Sequence, residues 1–147
     1  FISYAFKDER LCNELLVHLK LMQRQGLVAS WYGRMIDAGE EWEKKIDDNL
    51  ERAEIVLLLI SPNFMASDYS YEIEMKRALE RHASKEAEVI PVIVRNVSWK
   101  TAPFAHLQAL PKNAKAVTLW ANKDSAWRNV AEGIEAAAEA RWKREGE

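Results

Sequence analysis

The run SDYSYEIEMKRALERH, residues 67 to 82, places two acids, Glu72 and Glu74, just inside the start of an expected helix. A carboxylate there is either half of a surface ion pair or a fixed anion facing whatever cleft the helix borders. On a helix turning about 100° per residue, Tyr71, Met75, Ala78, Leu79 and His82 form one apolar stripe, and the two acids border it on opposite sides. Glu72 has Lys76 four residues on, in the favoured acid-to-base order of an exposed ion pair. Glu74 has the small residues Ser70 and Ala78 at those spacings, which leave it open on one side, with Arg77 and Arg81 as its possible local partners. Spacing permits a functional Glu74 without requiring one.

A flat ligand would want aromatic faces. Tyr4, Phe6, Trp31, Tyr32 and Tyr69 all fall near one expected rim, where each could stack on a base or a pyridinium ring, although packing alone explains any one of them.

Composition narrows the partners. A chain of 147 residues with nearly half of them apolar suits one domain with a sizeable core. The net charge of −2 gives no drive toward nucleic acid or an anionic membrane. Cys12 is the single cysteine, and His18, His82 and His106 lie far apart, so neither a disulfide nor a metal site is expected, and a reducing, cytoplasmic compartment is the natural reading. No apolar run approaches the roughly 20 residues that span a bilayer, and no signal peptide opens the chain. FISYAF starts in mid-strand, so the natural protein is expected to extend upstream.

The elements that must position these residues alternate. FISY (1 to 4) reads as a strand, followed by a helix with Leu11, Leu15, Leu16, Leu19 and Met22 at helical spacing and Gly26 as its stop. LVASW (27 to 31) reads as a second strand, then a loop and a helix to about Arg52 whose inner face carries Trp42, Ile46 and Leu50. EIVLLLIS (54 to 61) is a strand apolar throughout, as in a parallel sheet covered on both faces. Ser61-Pro62 is a helix start, and Ser67 or Asp68 a second one. EVIPVIV (88 to 94) is a fourth strand, at an edge or with a bulge because of Pro91, and AKAVTLW (114 to 120) a short fifth; a long helix follows from about Asp124.

Such alternation predicts an α/β, flavodoxin-like three-layer sandwich: a five-stranded parallel sheet of order 2-1-3-4-5 with helices on both faces. Ligands in that topology bind between the carboxyl ends of strands 1 and 3, here Tyr4 to Asp8 and Ser61 to Asn63, with the quoted helix above. Receiver chemistry is excluded, because strand 3 ends in Ile60-Ser61-Pro62 without a phosphoacceptor aspartate. Ala5-Phe6-Lys7-Asp8 is no flavodoxin phosphate loop, and neither GxGxxG nor GxxxxGK[ST] occurs, so a nucleotide would be held without a glycine cradle.

Taken together, FISYAFKDE, LVASWYGRMIDAGEEWEKKI, IVLLLISPNFMASDY and IEMKRALE resemble, in order and over nearly the whole chain, a Toll/interleukin-1 receptor (TIR) domain of bacterial type. The resemblance implies a domain over residues 1–140, with 141–147 a polar helix end or linker. In enzymatic members a glutamate on the helix after strand 3 is essential for cleaving NAD+, ahead of a hydrophobic residue and a short run ending in Ala-Leu. Glu74-Met75-Lys76-Arg77-Ala78-Leu79 matches that setting better than Glu72 does, so the resemblance makes Glu74 the catalytic residue. It further implies Tyr4 or Phe6 stacked on a ring of the substrate and Ser3, Lys7 or Arg34 near the ribose or phosphates. Ser70 stands where active members often carry a tryptophan, and is placed against the substrate too; Ala5 replaces a frequent Arg, and Gly33-Arg34 replaces the D-R of the family's BB loop.

The implied activity is NAD+ hydrolysis to ADP-ribose or a cyclic ADP-ribose, with NAD+ as substrate and no cofactor. The implied role is a cytoplasmic effector of bacterial immune, antiphage or stress signalling. It would assemble as a homo-oligomer or filament through the BB loop, residues 32–41, and contact neither nucleic acid nor membrane directly. The alternative is a non-catalytic TIR–TIR module using the same loop, where Met35 and Ile36 offer apolar contacts; a deoxyribosyltransferase-like enzyme shares the fold but has no specific feature here.

Overall fold

The computed structural model describes residues 1–31 and 48–145. Its centre is β2, Ile55–Ile60, in which every residue is buried. Side chains alternate between the two faces of a strand, so a strand apolar throughout needs cover on both sides. β1 (Ile2–Ser3) and β3 (Glu88–Ile93) flank it in a parallel sheet of order β1-β2-β3, with Ile2 opposite Leu57 and Ile55 opposite Glu88. The strands expected as first, third and fourth are thus neighbours in the expected order.

Ile55, Leu57 and Leu59 pack with Leu15 and Leu19 of α1 (Glu9–Arg24) and Trp127, Val130 and Ile134 of α5 (Lys123–Glu145). Val56, Leu58 and Ile60 pack on the other face with Leu50 of α2 (Asp48–Arg52), Phe64 of α3 (Pro62–Ala66), and Met75 and Ala78 at the start of α4 (Lys76–Ala83). Helices therefore cover both faces. Trp42 and Ile46 lie outside the described residues.

Two expected strands make no ladder among the described residues. In 27–31 the amides of Leu27 and Val28 both turn back to the Met22 carbonyl, at 3.1 and 3.4 Å, after Gly26 leaves α1 at a φ of +75°. These bonds end the helix and occupy donors that a strand would offer its neighbour. Residues 114–120 instead form 3-10 turns, at Lys112–Ala114 and Val117–Leu119, because local bonds such as Leu119 N to Ala116 O at 2.9 Å satisfy the backbone. Leu110 takes the outer edge of β3 in their place, exchanging bonds of 2.8 and 2.9 Å with Ile93 N and Pro91 O. Pro91 faces that outer side with its nitrogen, so the missing N–H costs nothing toward β2.

α2 and α4 are joined by a buried cation. Arg81, 5% exposed, donates to the carbonyls of Leu50 and Ala53 at 2.7 and 2.6 Å and reaches the Glu86 carboxylate at 3.4 Å. Those carbonyls lie at and just beyond the end of α2, where Leu50 has one long backbone donor, Ala53 N at 3.4 Å. Arg81→Met keeps the stem and removes every donor. The expected loss is about 3 kcal/mol in urea unfolding, from the Ala53 carbonyl left without its charged donor and the Leu50 carbonyl left with one long bond; a loss within experimental scatter would show that other donors serve them.

Cys12 sits in the α1–α5 core, where burial, with Glu9 nearby, pushes its thiol up to about 12. A thiol reagent at about pH 8 is expected to label the native protein only as fast as the core opens. Labelling as fast as that of a free thiol would contradict the packing.

Candidate functional site

The helix bearing the two acids does not start as an α-helix. Residues Asp68–Met75 are π-helical and pass into α4 at Lys76. Ser67 is the cap: its Oγ accepts from the Ser70 amide at 3.1 Å. The i→i+5 turns wind more widely than the 100° stripe assumes. They leave Glu72 exposed and bring Glu74 to 0% exposure, against the expectation that the small neighbours Ser70 and Ala78 would leave its carboxylate open on one side.

Glu74 lies against the end of β1, where the Ser3 hydroxyl donates to its Oε1 at 2.8 Å. One turn earlier, the Ser70 hydroxyl donates to the Tyr4 carbonyl at 3.1 Å. The arginines named as local partners go elsewhere. Arg77 forks onto Glu51, with Nε to Oε1 at 2.7 Å and Nη2 to Oε2 at 2.8 Å, and also reaches Glu80 at 3.2 Å; Arg81 closes α2. Among the described residues no ion pair joins Glu72 to Lys76.

A second buried acid, Asp8, ends the Tyr4-to-Asp8 stretch expected at the crevice, where no role was expected of it. It is 3% exposed and accepts from the Ser61 hydroxyl in a short bond and from Asn63 Nδ2 at 3.1 Å; Arg95 Nη1 stands 3.8 Å away. Ser61 Oγ in turn caps α3 by accepting from the Phe64 amide at 3.0 Å. The knot joins the turns that follow β1, β2 and β3. In sequence its signals were a helix-start Ser-Pro and an acid in a polar run, and nothing there shows that the acid is buried.

Ser3, Tyr4, Ser70 and Glu74 thus come together, while Phe6, at 67% exposure, and Lys7 stand at the solvent edge of the same turn. Trp31 does not join this rim. It lines a cavity of about 560 Å³ with Phe1, Val28, Ile55 and Trp142, at the amino ends of β1 and β2, because 27–31 does not run beside β1 as a strand. Tyr32, Arg34, Met35, Ile36 and the loop 32–41 lie outside the described residues, as does the side chain of Tyr69. Among the described residues no three metal-ligating side chains converge, and no helix is long and apolar enough to cross a membrane.

Chemically, the carboxyl end of the sheet holds a buried carboxylate bonded to a hydroxyl, with an exposed aromatic face and a lysine on the neighbouring turn. A family model described as TIR domain matches residues 1–138. The uncharacterized protein y4lF of Sinorhizobium fredii (strain NBRC 101917 / NGR234) is 46% identical over 138 residues, which are 94% of this chain and 43% of that protein. The chain therefore spans less than half the length of that relative. No solved structure matches.

The Glu51–Arg77 fork is the charged tie on the helix that carries Glu74. Hydrogen bonds from Arg77 hold the Glu51 carboxyl below the ordinary carboxylate value. A lowered folded value means stability that is complete above the unfolded value and disappears as pH falls through the folded one. Glu51→Gln should therefore lower Tm at about pH 7 and by less at about pH 3. Equal differences at both pH values would show that the carboxylate charge contributes nothing.

Proposed function

Because the chain belongs to the TIR domain family, we propose that it cleaves NAD+ at the bond between nicotinamide and ribose, with Glu74 as the catalytic carboxylate. One observation carries this reading. Of the two acids, Glu74 is the one turned in at the carboxyl end of β1 and held there by Ser3, while Glu72 stays at the surface.

A single carboxylate suffices for the chemistry. The electron pair of the breaking bond leaves with nicotinamide, which departs as a neutral pyridine and needs no proton, so the acid of an ordinary glycosidase has no task. Positive charge collects on the ribose, and a fixed anion beside it lowers the energy of that state more than that of the substrate. Water then bonds to the anomeric carbon and gives up a proton, yielding ADP-ribose; attack by the adenine ring instead yields a cyclic product. Tyr4 or Phe6 stacks on a ring, and Lys7 or Arg34 serves the ribose or phosphates. The domain acts as a cytoplasmic effector of bacterial immune or stress signalling, assembled with further copies through residues 32–41.

Glu74 is closed to solvent, so turnover requires the crevice to open. The same closure favours a second reading, a non-catalytic TIR–TIR module. Nicotinamide release from concentrated or bead-clustered protein separates the two. Under the first, wild type releases nicotinamide, Glu74→Ala loses about a hundredfold in kcat, and the surface variant Glu72→Ala stays near wild type. No release by wild type in any clustered form establishes the module, and equal loss in both variants removes the assignment to Glu74.

A further inference from the structure

Two of the residues assigned to the substrate by resemblance, Ser3 and Ser70, have almost no surface to offer it, at 1% and 0% exposure. Their hydroxyls are spent inside the protein, Ser3 on the Glu74 carboxylate and Ser70 on the Tyr4 carbonyl. We propose that both are positioning residues of Glu74: Ser3 sets the rotation of the carboxylate, and Ser70 sets the distance of its helical turn from β1. The proposal rests on the reading of Glu74 as the catalytic group.

The arrangement has fixed points at both ends. Ser3 lies in the ladder opposite Leu58, so its Oγ starts from a rigid backbone. The amide of Ser70 is held by Ser67 Oγ, so its hydroxyl starts from a capped turn. Beyond Glu74, Arg77 and Arg81 tie the next two turns to α2. A glutamate has three rotatable bonds, and an unrestrained carboxylate samples orientations that do not face a reacting carbon. Fixing one oxygen by a charge-assisted bond removes that freedom before substrate arrives. Misplacement by about 1 Å costs around a hundredfold in rate, which is the scale on which such a bond acts.

Steady-state kinetics of NAD+ cleavage by clustered full chain test this. Ser3→Ala should lower kcat about ten- to a hundredfold with KM within about twofold, because the group lost touches Glu74 and not substrate. Ser3→Thr, which keeps the hydroxyl, should recover most of kcat, and Ser70→Ala should lower kcat by less than Ser3→Ala. If Ser3→Ala fails to fold, Ser3→Cys, close in shape and a weak donor, replaces it under the same criteria. A rise in KM at unchanged kcat would return Ser3 to the substrate and overturn the proposal, as would wild-type kinetics. The failures are separable. Active wild type, inactive Glu74→Gln and fully active Ser3→Ala sink only the positioning role; an inactive wild type sinks the reading of Glu74 and this proposal with it.

Discussion

A carboxylate without exposed surface persists in a folded domain only where donors replace the water it has lost. The Ser3 hydroxyl, 2.8 Å from Glu74 Oε1, is such a donor, and its geometry constrains everything around it. β1 must end where the π-helical turn begins, and the helix must lie at one height over the strand. The Ser70 bond to the Tyr4 carbonyl enforces that height, and the two arginines further along hold the same helix to α2. Strand, turn and helix are thus fastened at three successive levels.

The other buried acid serves a different end. Asp8, after β1, gathers the Ser61 hydroxyl and the Asn63 amide, after β2, and lies near Arg95, after β3. Parallel strands stop together at one end of the sheet, and the chain there must leave the ladder with its polar groups unsupplied. A single carboxylate that accepts from two side chains, one of which also caps α3, fastens these exits. The knot explains why the turn bearing Tyr4 and Phe6 is fixed beside the helix bearing Glu74.

Two buried carboxylates, Glu74 and Asp8, thus stand at the carboxyl end of the sheet; in the proposed reaction Glu74 would steady transient positive charge on a bound sugar without the paired acids of ordinary glycoside cleavage. Glu74 is closed to solvent, so the proposed chemistry depends on opening.

Much of this was readable from the chain alone. β2 announced itself as a buried parallel strand by six consecutive apolar residues, α1 by its leucine spacing, and α3 by Ser61-Pro62, because these features are local and periodic. Spacing left both readings of Glu74 open, and the preference over Glu72 came from the match of Glu74-Met75-Lys76-Arg77-Ala78-Leu79 to the TIR pattern. The short runs 27–31 and 114–120 misled, because an apolar run of five to seven residues suits a strand or a turn equally, and bonds to Met22 and Ala116 decided between them. The sequence by itself determined the family and a central strand that needs cover on both faces. Only the tertiary structure decided that Ser3 and Ser70 turn toward Glu74 and the chain, that Asp8 is buried, and that Arg77 and Arg81 serve α2. The reason is physical: burial and pairing depend on groups brought together from distant positions, 71 residues apart for Ser3 and Glu74, and no local pattern records those distances.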